Sequence, residues 1–333
     1  MKLIHSLLLT LTVLFVCGSC NNEWEKEQFH QLVSFKSPLD SKGTRSIYIR
    51  YKPDGKVTFQ LPLIVSGSTV NSKNLKIHIA LDPDTLNILN KERFGSRTEL
   101  FYKQLSSQYF EMPETVDIPA GESTALFPID FSLANLDMVD KWVLPLNIED
   151  GTAYGYTVNT RRYYRKALLR IFPFNNYSGE YGATAYKVYF KENETEAMPS
   201  EYRTGYVVND NTIFFYAGLV DEDRLDRSKY KIFVRFENDK IDLQTKKATI
   251  YSDNPDERLN FVVKGQPSYS IEEVMDATLP YLKHVYVTLN LEYEYTDYTS
   301  VPGYPLNYVV KGTLTMERKI NTQIPDEDQA IEW

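Results

Sequence analysis

The chain has 333 residues, with 37 Lys and Arg against 45 Asp and Glu and a formal net charge of −8. A surface this acidic repels polyanions, so nucleic acid is not an expected partner. With 42% hydrophobic and 25% charged residues the composition is that of a globular protein of about two ordinary domains. Both cysteines, Cys17 and Cys20, stand near the start, so the rest of the chain has neither a disulfide framework nor a cysteine metal site.

Lys2 precedes a mostly apolar run from Leu3 to Val16. The run is too short to span a bilayer, which takes about 20 residues, and it stands where a cleavable signal peptide does. It closes in Val16-Cys17-Gly18-Ser19-Cys20, which resembles the bacterial lipobox, where cleavage precedes a lipidated cysteine. Cys17 occupies the place where that motif usually has an aliphatic residue. As an acceptor itself Cys17 is the poorer choice, because bulky Phe15 and Val16 stand where small side chains are preferred. The expectation is therefore a signal peptide over residues 1–19, lipidation at Cys20 and a tether over residues 20–30. The polar, acidic start Asn21-Asn22-Glu23-Trp24-Glu25-Lys26-Glu27 looks like a signal for the outer face of the outer membrane. A lipid-anchored outer-membrane protein facing outside is expected. A plain solvated tether, as charge runs usually are, is the other reading.

Beyond the tether the pattern is dominated by period-two alternation, the mark of half-buried strands. Strands are expected at residues 46–51, 56–64, 75–81, 122–131, 142–148 and 163–172. Trp142 alternates in phase with Leu144, Leu146 and Ile148, which assigns it to the core. One helix is expected, where Asp82-Pro83-Asp84 offers a cap, Leu86, Leu89 and Phe94 follow at helical spacing, and Gly95 ends it. Short strands of this number separated by Pro and Gly turns predict an immunoglobulin-like β-sandwich over residues 31–173.

A boundary is expected at Pro173-Phe174-Asn175-Asn176. Alternation then resumes at residues 180–190, 202–208, 212–216, 231–237, 247–252, 285–295 and 308–316. Strands paired mostly with their sequence neighbours predict a calycin- or lipocalin-like antiparallel β-barrel over residues 175–320, with a tail over residues 321–333. Residues 270–282 read as a short helix or a plug at one barrel end. The fold class is thus all-β.

Several segments together resemble a known family. Leu61-Pro62-Leu63-Ile64-Val65-Ser66-Gly67, Leu81-Asp82-Pro83-Asp84-Thr85-Leu86, Ile118-Pro119-Ala120-Gly121-Glu122 and Trp142-Val143-Leu144-Pro145-Leu146 are similar to the N-terminal domain of a large family of Bacteroidota surface lipoproteins, long described as a domain of unknown function. Tyr177-Ser178-Gly179-Glu180-Tyr181 and Gly312-Thr313-Leu314-Thr315-Met316 are similar to the C-terminal domain that accompanies it. Members often accompany glycan-utilisation systems, and some are labelled cell-adhesion proteins. The resemblance implies place and architecture more than chemistry.

Catalytic and cofactor signatures are absent from the sequence. There is no Gly-x-Ser-x-Gly elbow, no His-Glu-x-x-His helix and no phosphate-cradling glycine loop. His30, His78 and His284 are far apart, and the last two fall in strand patterns. A glycosidase needs only two suitably spaced carboxylates, and a chain this acidic leaves that chemistry open. With no pairing motif the expectation is a non-catalytic protein without cofactor or metal. Asp221-Glu222-Asp223-Arg224-Leu225-Asp226 has oxygen ligands enough for calcium but not EF-hand spacing, and reads as a solvated acidic turn.

Tyrosines outside the strands are the candidate ligand-binding residues. Tyr154 and Tyr156 flank Gly155, and Tyr298 and Tyr304 lie in the loop from Asp297 to Pro305. Their rings offer flat faces to sugar C–H groups, with Asp297 as a hydrogen-bond acceptor for hydroxyls. The competing reading is that these rings cap the ends of a sandwich and a barrel. Two functions follow. The first is a surface accessory that binds polysaccharide or oligosaccharide beside an outer-membrane importer. The second is a structural or adhesive protein that binds another surface protein or host matrix.

Overall fold

The structure, a computed structural model, describes residues 27–325. Cys20, most of the expected tether and the end of the tail lie outside the described residues. The first ten strands are β1 (Leu32–Phe35), β2 (Arg45–Arg50), β3 (Val57–Ser66), β4 (Leu75–Leu81), β5 (Tyr102–Gln104), β6 (Phe110–Glu111), β7 (Thr115–Ile118), β8 (Thr124–Phe131), β9 (Lys141–Ile148) and β10 (Lys166–Phe174). One sheet has the order β1-β3-β8-β6, the other β2-β10-β9-β4-β7 with β5 beside β9. Alternation works as expected in the first sheet: Leu61, Leu63 and Phe127 are fully buried against Ile77, Leu144 and Leu146 of the second. This is the sandwich.

Helix α1 (Pro83–Phe94) starts where the sequence places it. The Asp82 carboxylate accepts from the Thr85 backbone N–H, Pro83 occupies the first turn, and Gly95 ends it with φ of 60°. The helix lies on the outer face of the second sheet, where Leu86, Leu89 and Phe94 pack against Val143 and Leu168. Asn90 locks it there, its side chain pairing both ways with the Tyr102 backbone at 2.8 Å. Strands β9 and β10 are consequently buried on both faces, which simple alternation does not anticipate. Trp142 corrects the expectation: it sits half-buried at the rim, Nε1 donating to the Asp137 carbonyl, while Val143 is wholly buried.

The remaining strands are β11 (Gly179–Gly182), β12 (Tyr186–Phe190), β13 (Asn193–Met198), β14 (Tyr202–Asn209), β15 (Thr212–Tyr216), β16 (Lys231–Lys240), β17 (Thr245–Tyr251), β18 (Val262–Val263), β19 (Ser268–Met275), β20 (Leu282–Asp297) and β21 (Leu306–Asn321). Eight of them close an antiparallel barrel in the order β21-β11-β14-β15-β16-β17-β19-β20, with β20 returning to β21. Tyr293 and Tyr295 point inward as expected and are buried. The Tyr293 hydroxyl meets that of Tyr186 at 2.7 Å and accepts from the Gly218 N–H, and Phe215 packs edge-on against Tyr181. Aromatic side chains therefore fill the barrel, so its interior offers no room for a ligand.

Two expected elements differ. Residues 180–190 form two strands, because β11 and β12 lie one after the other along the same edge of β21. The chain steps sideways between them and brings the Ala185 carbonyl against Gly312. A Cβ at that glycine would stand 2.0 Å from the oxygen, and its φ is 130°. Residues 270–282 are neither helix nor plug. Ser268–Met275 pairs with β20 along its whole length, and the chain turns at Asp276, whose carboxylate accepts from Thr278 and Leu279. The charged pair Glu272-Glu273 hides this strand from a search for alternation.

The junction is braced by side chains. Pro173 lies within β10 opposite Ile49, and the next residues are held by side chains. Arg318 donates to the carbonyls of Asn175 and Ser178, Asn175 Nδ2 to the Asn209 carbonyl, and Arg50 to Asn176. At the other end of the sandwich Glu27, which the sequence assigns to the tether, is docked. Its carboxylate accepts from the backbone N–H and hydroxyl of both Ser68 and Thr69, and these bonds hold the group well below the usual carboxylate range.

Candidate functional site

The two candidate tyrosine pairs occupy opposite situations. Tyr154 stacks on His78 at 4.1 Å and on Tyr156 at 5.7 Å. The Tyr154 hydroxyl donates to the Glu149 carboxylate. That of Tyr156 donates to the Glu149 carbonyl and accepts from the His78 N–H. Both rings are half-buried with both hydroxyls engaged, so this pair packs as a cap at the end of the sandwich. His78 is a stacked strand residue, and His284 lies between Glu317 and Asp276.

Tyr298 and Tyr304 do come together. They line one concavity of about 500 Å³ at the barrel rim with Glu257, Arg258, Asn260 and Asn307. That volume falls in the roughly 300–1,000 Å³ range of small-molecule sites. Tyr304 is 66% exposed at the tip of a turn closed by its own N–H on the Val301 carbonyl. Gly303, with φ of 77°, supplies the left-handed residue that this turn needs. Tyr298 is half-buried and set firmly: Asn254 donates to its hydroxyl, and the Arg258 guanidinium lies 4.5 Å from its ring centre. Asp256 in turn fixes Arg258 through a forked pair at 2.6 and 2.9 Å.

Asp297 is a correction. It is buried, and its carboxylate accepts from Arg224 at 2.7 and 2.9 Å, from the Tyr230 hydroxyl, from Thr299 and Ser300 N–H and from the Ser300 hydroxyl. Burial opposes its charge, but the Arg224 pairing prevails and holds it well below the usual carboxylate range. With its lone pairs engaged, Asp297 builds the loop and has no acceptor to offer a sugar. The available polar groups come from a segment not singled out in the sequence. Among the described residues the side chains of Glu257 and Asn260 have no partner and are exposed. Buried Leu259, and Phe261 packed against Tyr293, pin that segment over the rim. Asn254-Pro255-Asp256 marks a turn in the sequence, but nothing local says which strand ends it will cross.

The acidic turn is largely exposed, as expected, but two of its carboxylates are engaged. Glu222 pairs with Arg170 at 2.6 Å and Lys42 at 3.2 Å, and Asp223 with Lys141 at 2.7 Å, all across the junction of the two halves. Burial opposes the Glu222 charge, but Arg170 overcomes this and keeps the carboxyl well below its ordinary range. Arg227 adds hydrogen bonds to the Val139 and Glu99 carbonyls. Among the described residues no cluster of His, Cys, Asp and Glu could hold a metal ion.

Residues 24–152 match the family model of a domain of unknown function, DUF4973, and residues 165–315 match a second model described as a "-like, C-terminal" domain. A protein of unknown function from Bacteroides ovatus is 50% identical, with 91% of this chain and 100% of that one covered and a TM-score of 0.79. The chain belongs to this family. A multidomain Bacteroides ovatus protein including DUF1735 is 48% identical over 91% of this chain and 100% of that one, with a TM-score of 0.79. Another family member, named as an auxiliary nutrient binding protein from Bacteroides thetaiotaomicron, is 42% identical over 90% and 98% of the two chains, with a TM-score of 0.78. No curated protein matches the chain.

Proposed function

We propose that the chain is a non-catalytic accessory of nutrient capture, lipidated at Cys20 and displayed outside the outer membrane, that binds oligosaccharide at the barrel rim. The observation that carries the reading is the pairing of exposed Tyr304 with firmly held Tyr298 in one concavity, beside the uncommitted polar groups of Glu257 and Asn260. Sugars are recognised in this way, by ring faces against C–H groups and by donors and acceptors at the edge. The nutrient-binding name of the Bacteroides thetaiotaomicron relative supports the same role. The test is calorimetry against plant, fungal and mucosal polysaccharides. Replacing Tyr298 and Tyr304 together by Ala should weaken binding by roughly 1–3 kcal/mol; unchanged affinity would move the site elsewhere. Cys20→Ala should release the protein from membranes, and continued partitioning with them would overturn the anchor.

One observation favours a protein partner as a second reading. Ile271 and Met275 are exposed on one face of β19, at the free end of the ribbon it forms with β20 and β21, an apolar surface of the kind that marks protein contacts. An importer or another surface protein is the partner it fits.

A further inference from the structure

A cleft of about 340 Å³ opens between the two halves, away from the barrel rim. One wall comes from the sandwich, where half-buried Tyr48 stacks on Phe172 at 5.6 Å. The other comes from the start of β14, where Tyr202 is 56% exposed and Arg203 is buried. Arg203 donates through Nη2 to the Tyr216 and Val220 carbonyls, but its buried Nε–H has no partner. Orphaned buried donors are uncommon in folded proteins and ask for an explanation.

The chemistry of the walls narrows the ligand. Lys42 and Arg170, the other cations of the cleft, are already paired with Glu222. The Glu180 side chain makes no bond among the described residues, and Asp40, Asp221 and Asp223 add further negative charge. An anionic ligand would meet this excess of carboxylates and be repelled. A neutral polyol fits, because its hydroxyls can donate to the Glu180 carboxylate, which has no side-chain partner among the described residues. Tyr48 and Tyr202 add ring faces from the two sides.

We propose that this cleft is a second subsite for a neutral sugar residue, assembled from both halves of the chain, whose walls the Glu222 and Asp223 ion pairs tie together. It rests on the reading of the chain as a saccharide binder, and it predicts two binding events where the rim alone gives one. The test is calorimetry of the full chain with maltotetraose, xylotetraose, cellotetraose and mannotetraose. The wild type should take two equivalents of one of these. Tyr202→Ala, whose ring is exposed enough to spare the fold, should weaken one event by roughly tenfold or more and leave the other. The Tyr298→Ala, Tyr304→Ala variant should do the converse. A single event lost in that double variant and untouched by Tyr202→Ala overturns the cleft while the rim stands. A single event lost only with Tyr202→Ala supports the cleft and overturns the rim. No binding to any probe overturns both.

Discussion

The chain carries two tyrosine pairs in loops, one at the end of the sandwich and one at the rim of the barrel, and they have met opposite fates. Tyr154 and Tyr156 find His78 and Glu149 within reach, so their rings stack and their hydroxyls are engaged. Tyr304 finds nothing comparable and stays exposed beside the uncommitted Glu257 and Asn260. Both pairs stand in loops beside a glycine; what separates them is whether neighbours from other strands have already taken the polar atoms and ring faces. A binding surface is what remains after folding has made its own contacts.

That comparison sorts substitutions into those that cost stability and those that cost affinity. The largest effect should come from Asp297→Asn, which leaves Arg224 short of a buried partner and should destabilise the barrel by about 3 kcal/mol in urea unfolding at neutral pH. Because the native carboxyl is held well below its ordinary range, its contribution is present in full above the unfolded value of about 3.9 and is lost as pH falls below it. The gap between variant and wild type should therefore narrow steadily as pH falls below about 4. A gap as wide at pH 2 as at pH 7 would refute the ionic account of this loop.

Next in size, replacing Tyr154 and Tyr156 together by Ala should cost about 2 kcal/mol of stability, from lost stacking and an unpaired Glu149 carbonyl, with saccharide affinity unchanged. Weakened binding with unchanged stability would place that pair among the ligand contacts after all. The smallest effect on stability belongs to the Tyr298, Tyr304 double variant. It should unfold within about 1 kcal/mol of wild type, since its consequence is in affinity; a larger loss would mean that the rim loop is a structural cap like its counterpart.

Much of the fold was legible in the sequence because burial on one face leaves a period of two. The long alternating run ending in Tyr293 and Tyr295 gave a barrel strand and the inward direction of its rings, and Asp82, Pro83 and Gly95 marked both ends of the helix. The errors arose where tertiary contacts override local pattern. Val143 is buried by a helix lying on the outer face of its sheet, and Glu272-Glu273 interrupt the alternation of a strand that pairs fully. The site was half legible. Tyr298 and Tyr304 share a loop and could be named, whereas Glu257, Arg258 and Asn260 arrive from a distant turn. Asp297 has the chemistry of a ligand acceptor, and only the approach of Arg224, from the acidic turn, shows that it is occupied.

The junction has a mechanical consequence. In the proposed role, with a lipid at one end and a polymer at the barrel rim, the chain would be a strap under tension. Load entering from the N-terminal side would first meet the Glu27 clip on Ser68 and Thr69 and then the pairing of β1 with β3. Between the halves it divides over two connections in parallel: the covalent passage braced by Arg318 and Arg50, and the lateral ion pairs of Glu222 and Asp223. The second path is electrostatic and partly open to solvent, so rising ionic strength softens it. The stiffness of the strap is thereby tied to the salt of its surroundings, while its length is fixed by the braced backbone.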